Sequence, residues 1–186
     1  YQQRADYDMD ITLDDAKQRI YGEEVITYTN NSPDELRYVW VQLDQNMRAK
    51  NSTTQQIKGG GIFSERGNTA STAFNQLKNN QFYDFDGGFK IDYVQTTSGT
   101  NLRYTVNNTM MRVDLPTPLR KGQKFSFKIK WWFNVNDRMD IGGRSGYEYF
   151  EDEDNYLYTI AQFFPRMAVY NDVEGWQNKQ FLGQGE

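Results

Sequence analysis

There is no cysteine and no histidine among the 186 residues. The first absence excludes a disulfide framework, a thiol nucleophile and a thiolate metal site. The second excludes a histidine-based triad, an imidazole zinc site and a histidine general base. No apolar run approaches the roughly 18–20 residues that a membrane span needs, and no basic-then-apolar leader opens the chain. An excess of positive charge is missing as well. Against 21 Lys and Arg stand 25 Asp and Glu, a net charge of -4, which disfavours nucleic acid or an anionic membrane as the main partner. What the chain has in quantity is aromatic residues: 12 Phe, 13 Tyr and 4 Trp, a composition that suits half-buried pleated sheet.

The dominant pattern is alternation with a period of two. Ala5, Tyr7, Met9, Ile11 and Leu13 share one strand face, and Asp6, Asp8, Asp10 and Thr12 share the other. A polar gap at 14–19 precedes a β-branched run at 20–29, and Asn30-Asn31-Ser32-Pro33-Asp34 closes it as a turn. The run 36–43 is apolar on both faces and reads as a more central strand. Strands resume at 89–94, and Ser98-Gly99-Thr100-Asn101 signals a hairpin into Leu102, Tyr104 and Val106. The clearest strand puts Phe125, Phe127, Ile129, Trp131, Phe133 and Val135 on one face and turns Trp132 away from it. A rigid Pro116/Pro118 segment and a Gly122 turn lead into that strand. A further strand is expected at 156–160. Residues 48–80 are polar and glycine-rich and read as a long surface insertion with one short helix near 70–77. The fold expected is all-β and mostly antiparallel: a curved β-sandwich or saddle-like sheet forming a single domain over 1–186.

Three clusters were weighed for chemistry. Glu151-Asp152-Glu153-Asp154 offers hard oxygen ligands, yet lacks the spacing of a twelve-residue calcium loop and reads as a solvated charged loop. Gly59-Gly60-Gly61 and Gly142-Gly143-Arg144-Ser145-Gly146 lack the Walker spacing and read as plain loops. The most informative stretch is the last, Tyr158-Thr159-Ile160-Ala161-Gln162-Phe163-Phe164-Pro165-Arg166-Met167-Ala168-Val169-Tyr170-Asn171, with Gly175-Trp176 after it. Aromatic, basic and amide groups crowd there behind a strand, where a rigid scaffold presents functional groups.

That stretch resembles the N-terminal domain of the aminopeptidase N-like (gluzincin) zinc metallopeptidases. It is most like their divergent bacterial branch, which reads Q-[WF]-[YF]-P-[KR]-[MIL]-A-x-Y-[DN] followed by G-W. The opening Arg4-Ala5-Asp6-Tyr7-Asp8-Met9-Asp10-Ile11, the turn Tyr28-Thr29-Asn30-Asn31-Ser32-Pro33 and the Leu119-x-x-Gly122 turn agree with the same branch. The chain departs from the usual aminopeptidase form of the terminal motif, lacking its Cys and its final Pro.

The resemblance implies a non-catalytic β domain, truncated at its C-terminal end, that caps a thermolysin-like catalytic domain of the same polypeptide. In that family zinc is held by an H-E-x-x-H helix, and a G-x-M-E-N loop binds the peptide's amino terminus; neither motif is present here. No catalytic or metal-ligating residue is therefore assigned to this chain, and zinc belongs to the parent enzyme. The substrate-binding candidates are Gln162, beside the peptide's N-terminal residue, and Phe163 and Phe164 as pocket wall. Tyr1 reads as a processed or truncated start, and a periplasmic, cell-surface or extracellular bacterial location is expected. The rival reading is a free-standing β-sandwich module that binds carbohydrate or protein through exposed aromatics such as Trp40, Trp132 and Trp176.

Overall fold

A computed structural model describes residues 1–52, 85–141 and 145–181. Their elements, in order, are β1 (Arg4–Asp14), β2 (Arg19–Thr29), β3 (Leu36–Gln42), a 3-10 turn (Asp44–Arg48), β4 (Lys90–Thr96), β5 (Tyr104–Asn107), β6 (Met110–Leu119) and β7 (Lys124–Asn134). A four-residue helix α1 (Arg138–Ile141) follows, then β8 (Gly146–Phe150), a 3-10 turn (Glu151–Glu153), β9 (Asn155–Thr159), β10 (Arg166–Met167), β11 (Tyr170–Asn171) and β12 (Gly175–Trp176). The chain is all-β, and every pairing of named strands is antiparallel.

Two four-stranded sheets, ordered β1-β2-β7-β4 and β10-β3-β6-β5, share one core; β8–β9 and β11–β12 are separate hairpins. The alternation read in the sequence is what builds that core. Phe127, Ile129, Trp131 and Phe133 on β7 are buried against Ile20, Ile26 and Tyr28 of β2, with Val39 and Val41 of β3 and Met111 and Val113 of β6 opposite. Burying each such side chain stabilises by about 1.5–3 kcal/mol. Gly22 faces Trp131 in the β2–β7 ladder, and a Cβ there would lie 2.3 Å from the indole ring. The glycine makes room for the largest side chain of the core.

Three local expectations are corrected. The Ser98–Asn101 turn, with Gly99 at φ +90°, does not join partners in one sheet: β4 belongs to the first sheet and β5 to the second. The Pro116/Pro118 segment lies inside β6 rather than before a strand. Its β3 ladder skips from Asp114 to Leu119, so no ladder donor is required of either proline. Trp40, Trp132 and Trp176 are half-buried rather than exposed. The Arg19 guanidinium lies 4.1 Å from the Trp132 ring centre, and Trp176 packs on Tyr28 and Tyr170. The 70–77 helix, the Gly59–Gly61 loop and the 142–144 part of the second glycine loop lie outside the described residues.

Candidate functional site

The segment 160–168 leaves β9, crosses to the second sheet and returns as β10 against β3, pairing Arg166 with Gln42 and Met167 with Val41. Gln162 stands on it exposed, at φ +53°. That left-handed conformation costs a non-glycine residue about 1 kcal/mol and persists only where neighbours impose it. They do so here. The buried Gln45 amide donates from Nε2 to the carbonyls of Ala161 (2.8 Å) and Gln162 (3.1 Å), while Arg48 donates to Gln45 Oε1 (3.1 Å). Ser145 Oγ accepts from the Ala161 N–H at 2.9 Å.

Phe163 and Phe164 are half-buried and pack on the core, ring to ring at 5.2 Å. Phe164 also meets Tyr7 edge-on at 5.4 Å, and the Tyr7 hydroxyl accepts the Met167 N–H at 2.9 Å. The two phenylalanines are thus anchors of the segment as well as its apolar face. Arg166 donates from Nε to Oδ2 of Asp44, a carboxylate 1% exposed, at 2.8 Å. The basic residue of the motif is therefore spoken for by the fold. A cleft of about 370 Å³ lies alongside, lined by Arg4, Ala5, Tyr7, Tyr28, Met167 and Tyr170 among others; Gln162, Phe163 and Phe164 do not line it.

The rest of the terminal motif forms a hairpin. Tyr170 pairs with Trp176 and Asn171 with Gly175, the glycine at φ +70°. Asn171 Oδ1 accepts the N–H groups of Val173 and Glu174, closing the turn. The Tyr170 hydroxyl donates to Asp34 at 2.7 Å, and its pKa is pushed up to about 12 by burial and then by that carboxylate.

Sequence reasoning missed Glu24. It occupies the inward position between Gly22 and Ile26, fully buried, and burial raises its pKa to about 9. The signal was legible: the alternation Ile20, Gly22, Glu24, Ile26, Tyr28 puts a carboxyl on the core face. The acidic run 151–154 is exposed at a hairpin tip, and among the described residues no group of three His, Cys, Asp or Glu side chains is placed to hold a metal.

No protein-family model and no curated protein matches the sequence. Among solved structures the chain is similar to the M1 zinc metallopeptidase of Deinococcus radiodurans (13% identity, TM-score 0.44). It is similar also to a mutant of that enzyme bound to a Tyr-Ser-Ala substrate (14% identity, TM-score 0.44). Each match covers 79% of this chain and 24% of the other, so this chain spans about a quarter of the length of those metallopeptidases.

Proposed function

We propose that this chain is the N-terminal, non-catalytic β domain of a zinc-dependent aminopeptidase-like metallopeptidase. It caps the catalytic domain of the same polypeptide and contributes Gln162 to the pocket for the peptide's amino terminus. The observation that carries this reading is Gln162 itself: an exposed amide at φ +53°, its backbone held by the buried Gln45, in the motif position where the resembling family contacts its substrate. An amide carbonyl accepts from an ammonium without bringing charge toward the metal. Phe163 and Phe164 then supply apolar wall beside it.

Zinc does not fit this chain. Histidine and cysteine are absent, and the described carboxylates do not gather. The metal and the reaction belong to the neighbouring domain.

Exposed apolar surface supports a covered face. Ile11 and Leu13 on β1 are 41% and 45% exposed, and Tyr149, Phe150, Tyr156 and Leu157 are exposed on the β8–β9 hairpin. The rival binding-module reading loses its basis, because the three tryptophans it relied on are half-buried and engaged.

The test is the coding sequence beyond Glu186 and the enzyme it encodes. An H-E-x-x-H helix within about one to two hundred residues, one further domain's worth, is expected. The parent is expected to hydrolyse free-amino peptides and to spare their N-acetylated forms. A stop codon or an unrelated module at that place overturns the proposal.

A further inference from the structure

Glu24 is fully buried, and neither of its carboxyl oxygens has a hydrogen-bond partner among the described residues. The Nε1 of Trp131, whose ring lies over Gly22 two positions away on the same strand face, is also without one. An ionised carboxylate in such a place costs several kcal/mol, so the group is held as the neutral acid. Across the β1 ladder from Glu24 stands Met9, with Tyr7 next on the same face. Tyr7 ties two things together: its ring meets Phe164, and its hydroxyl holds the Met167 N–H. Burial raises the Tyr7 phenol above its ordinary range, with Glu24 adding to the rise and Arg166 opposing it.

The ionisable groups around this point are few. β1 contributes Tyr7; β10 contributes Arg166, which is bound to Asp44 of the 3-10 turn. On β7 the inward partner of Glu24 is Ile129, and Lys128 and Lys130 alternate to the other face. Among the described residues no cation pairs with Glu24.

We propose that the proton on Glu24 keeps the segment 163–167 seated, and that its loss releases the segment: a pH-sensitive latch beneath the face that carries Gln162. The choice of moving part follows from the ladders. Water reaches the carboxyl either by parting β1, β2 and β7, joined over eleven residues each, or by lifting a segment joined to β3 through Arg166 and Met167 alone. The second opening breaks far fewer hydrogen bonds. The latch is a property of the chain itself and does not depend on peptide binding.

The experiment is carbon-13 NMR of the Glu24 carboxyl in this chain between pH 4 and 10, with amide-exchange protection of Met167 read in parallel. The carboxyl is expected to titrate near pH 9. The Met167 protection factor is expected to fall at least tenfold over the same range. Glu24→Gln should hold that protection constant with pH, and Tyr7→Phe should lower it at every pH. A Glu24 carboxyl that titrates in the ordinary carboxylate range overturns the latch. So does a loss of Met167 protection that persists unchanged in Glu24→Gln.

Discussion

At Gln162 the backbone and the side chain have separable roles, and two substitutions separate them. Glycine adopts φ +53° without the side-chain clash, so Gln162→Gly removes the amide and relieves local strain together. In the parent enzyme we expect catalytic efficiency toward free-amino peptides to fall by about 1–3 kcal/mol, the effect of removing a contact to a charged group. The melting temperature should hold or rise. A variant that melts several degrees lower yet keeps full activity per folded molecule would make Gln162 structural. Glu24 is a residue-scale matter too. Its pKa is about 9 when folded and 4.5 as an ordinary side chain, so between those values the folded state holds a proton that the unfolded state releases. The stability it contributes is complete below pH 4.5 and is lost as pH rises toward 9, at up to about 1.4 kcal/mol per unit. Urea midpoints at pH 5, 7 and 9 should decline in the native chain and decline less steeply in Glu24→Gln. Parallel slopes in the two proteins would refute a buried neutral acid.

The β8–β9 hairpin illustrates how little holds some elements. Tyr147 faces Tyr158 and Tyr149 faces Tyr156, with ring centres 6.4 and 4.9 Å apart. This ladder stabilises the hairpin internally, by a few tenths to about 1 kcal/mol per pair. Its ties to the sandwich include the Tyr158 hydroxyl, which donates to Gln18 Oε1 at 2.6 Å, and a bridge from Tyr147 to Asp137. A two-stranded hairpin is marginal by itself. Tyr158→Phe should therefore speed amide exchange across both strands while shifting global melting by only a degree or two. Unchanged exchange there would show that the aromatic ladder alone suffices. The β11–β12 hairpin is the opposite case, since Trp176 and Tyr170 press it onto Tyr28. The motif residues that carried the family resemblance at Tyr170, Asn171, Gly175 and Trp176 are thus the ones that shape this turn.

For the molecule as a whole, the outer edge of β1 is the exposed flank. It runs eleven residues with no partner strand beyond it among the described residues, and Ile11 and Leu13 lie bare on its inner face. We expect the isolated chain to associate as concentration rises in sedimentation velocity. The double substitution Ile11→Lys and Leu13→Lys should suppress that association. A native chain that stays strictly monomeric at high concentration would show that the acidic outer face, Asp6, Asp8 and Asp10, protects the edge by itself. The sequence by itself determined the strand class, the face each strand turns inward and the Phe127–Phe133 core stripe. A two-residue period is a local property, and solvent sorts it without knowledge of the partner strand. It also marked the 158–176 stretch as the place for function. Only the tertiary structure decided which sheet each strand joins. The turn at 98–101 is local, but whether it folds back or crosses the core depends on pairings with β7 and β6, more than ten residues away. The tertiary structure likewise decided that Arg166 answers Asp44, that Gln45 fixes the backbone of Gln162, and that Glu24 lies sealed without a partner. Each of those depends on groups brought together from distant parts of the chain, and burial, which sets their energies, exists only once both sheets have closed.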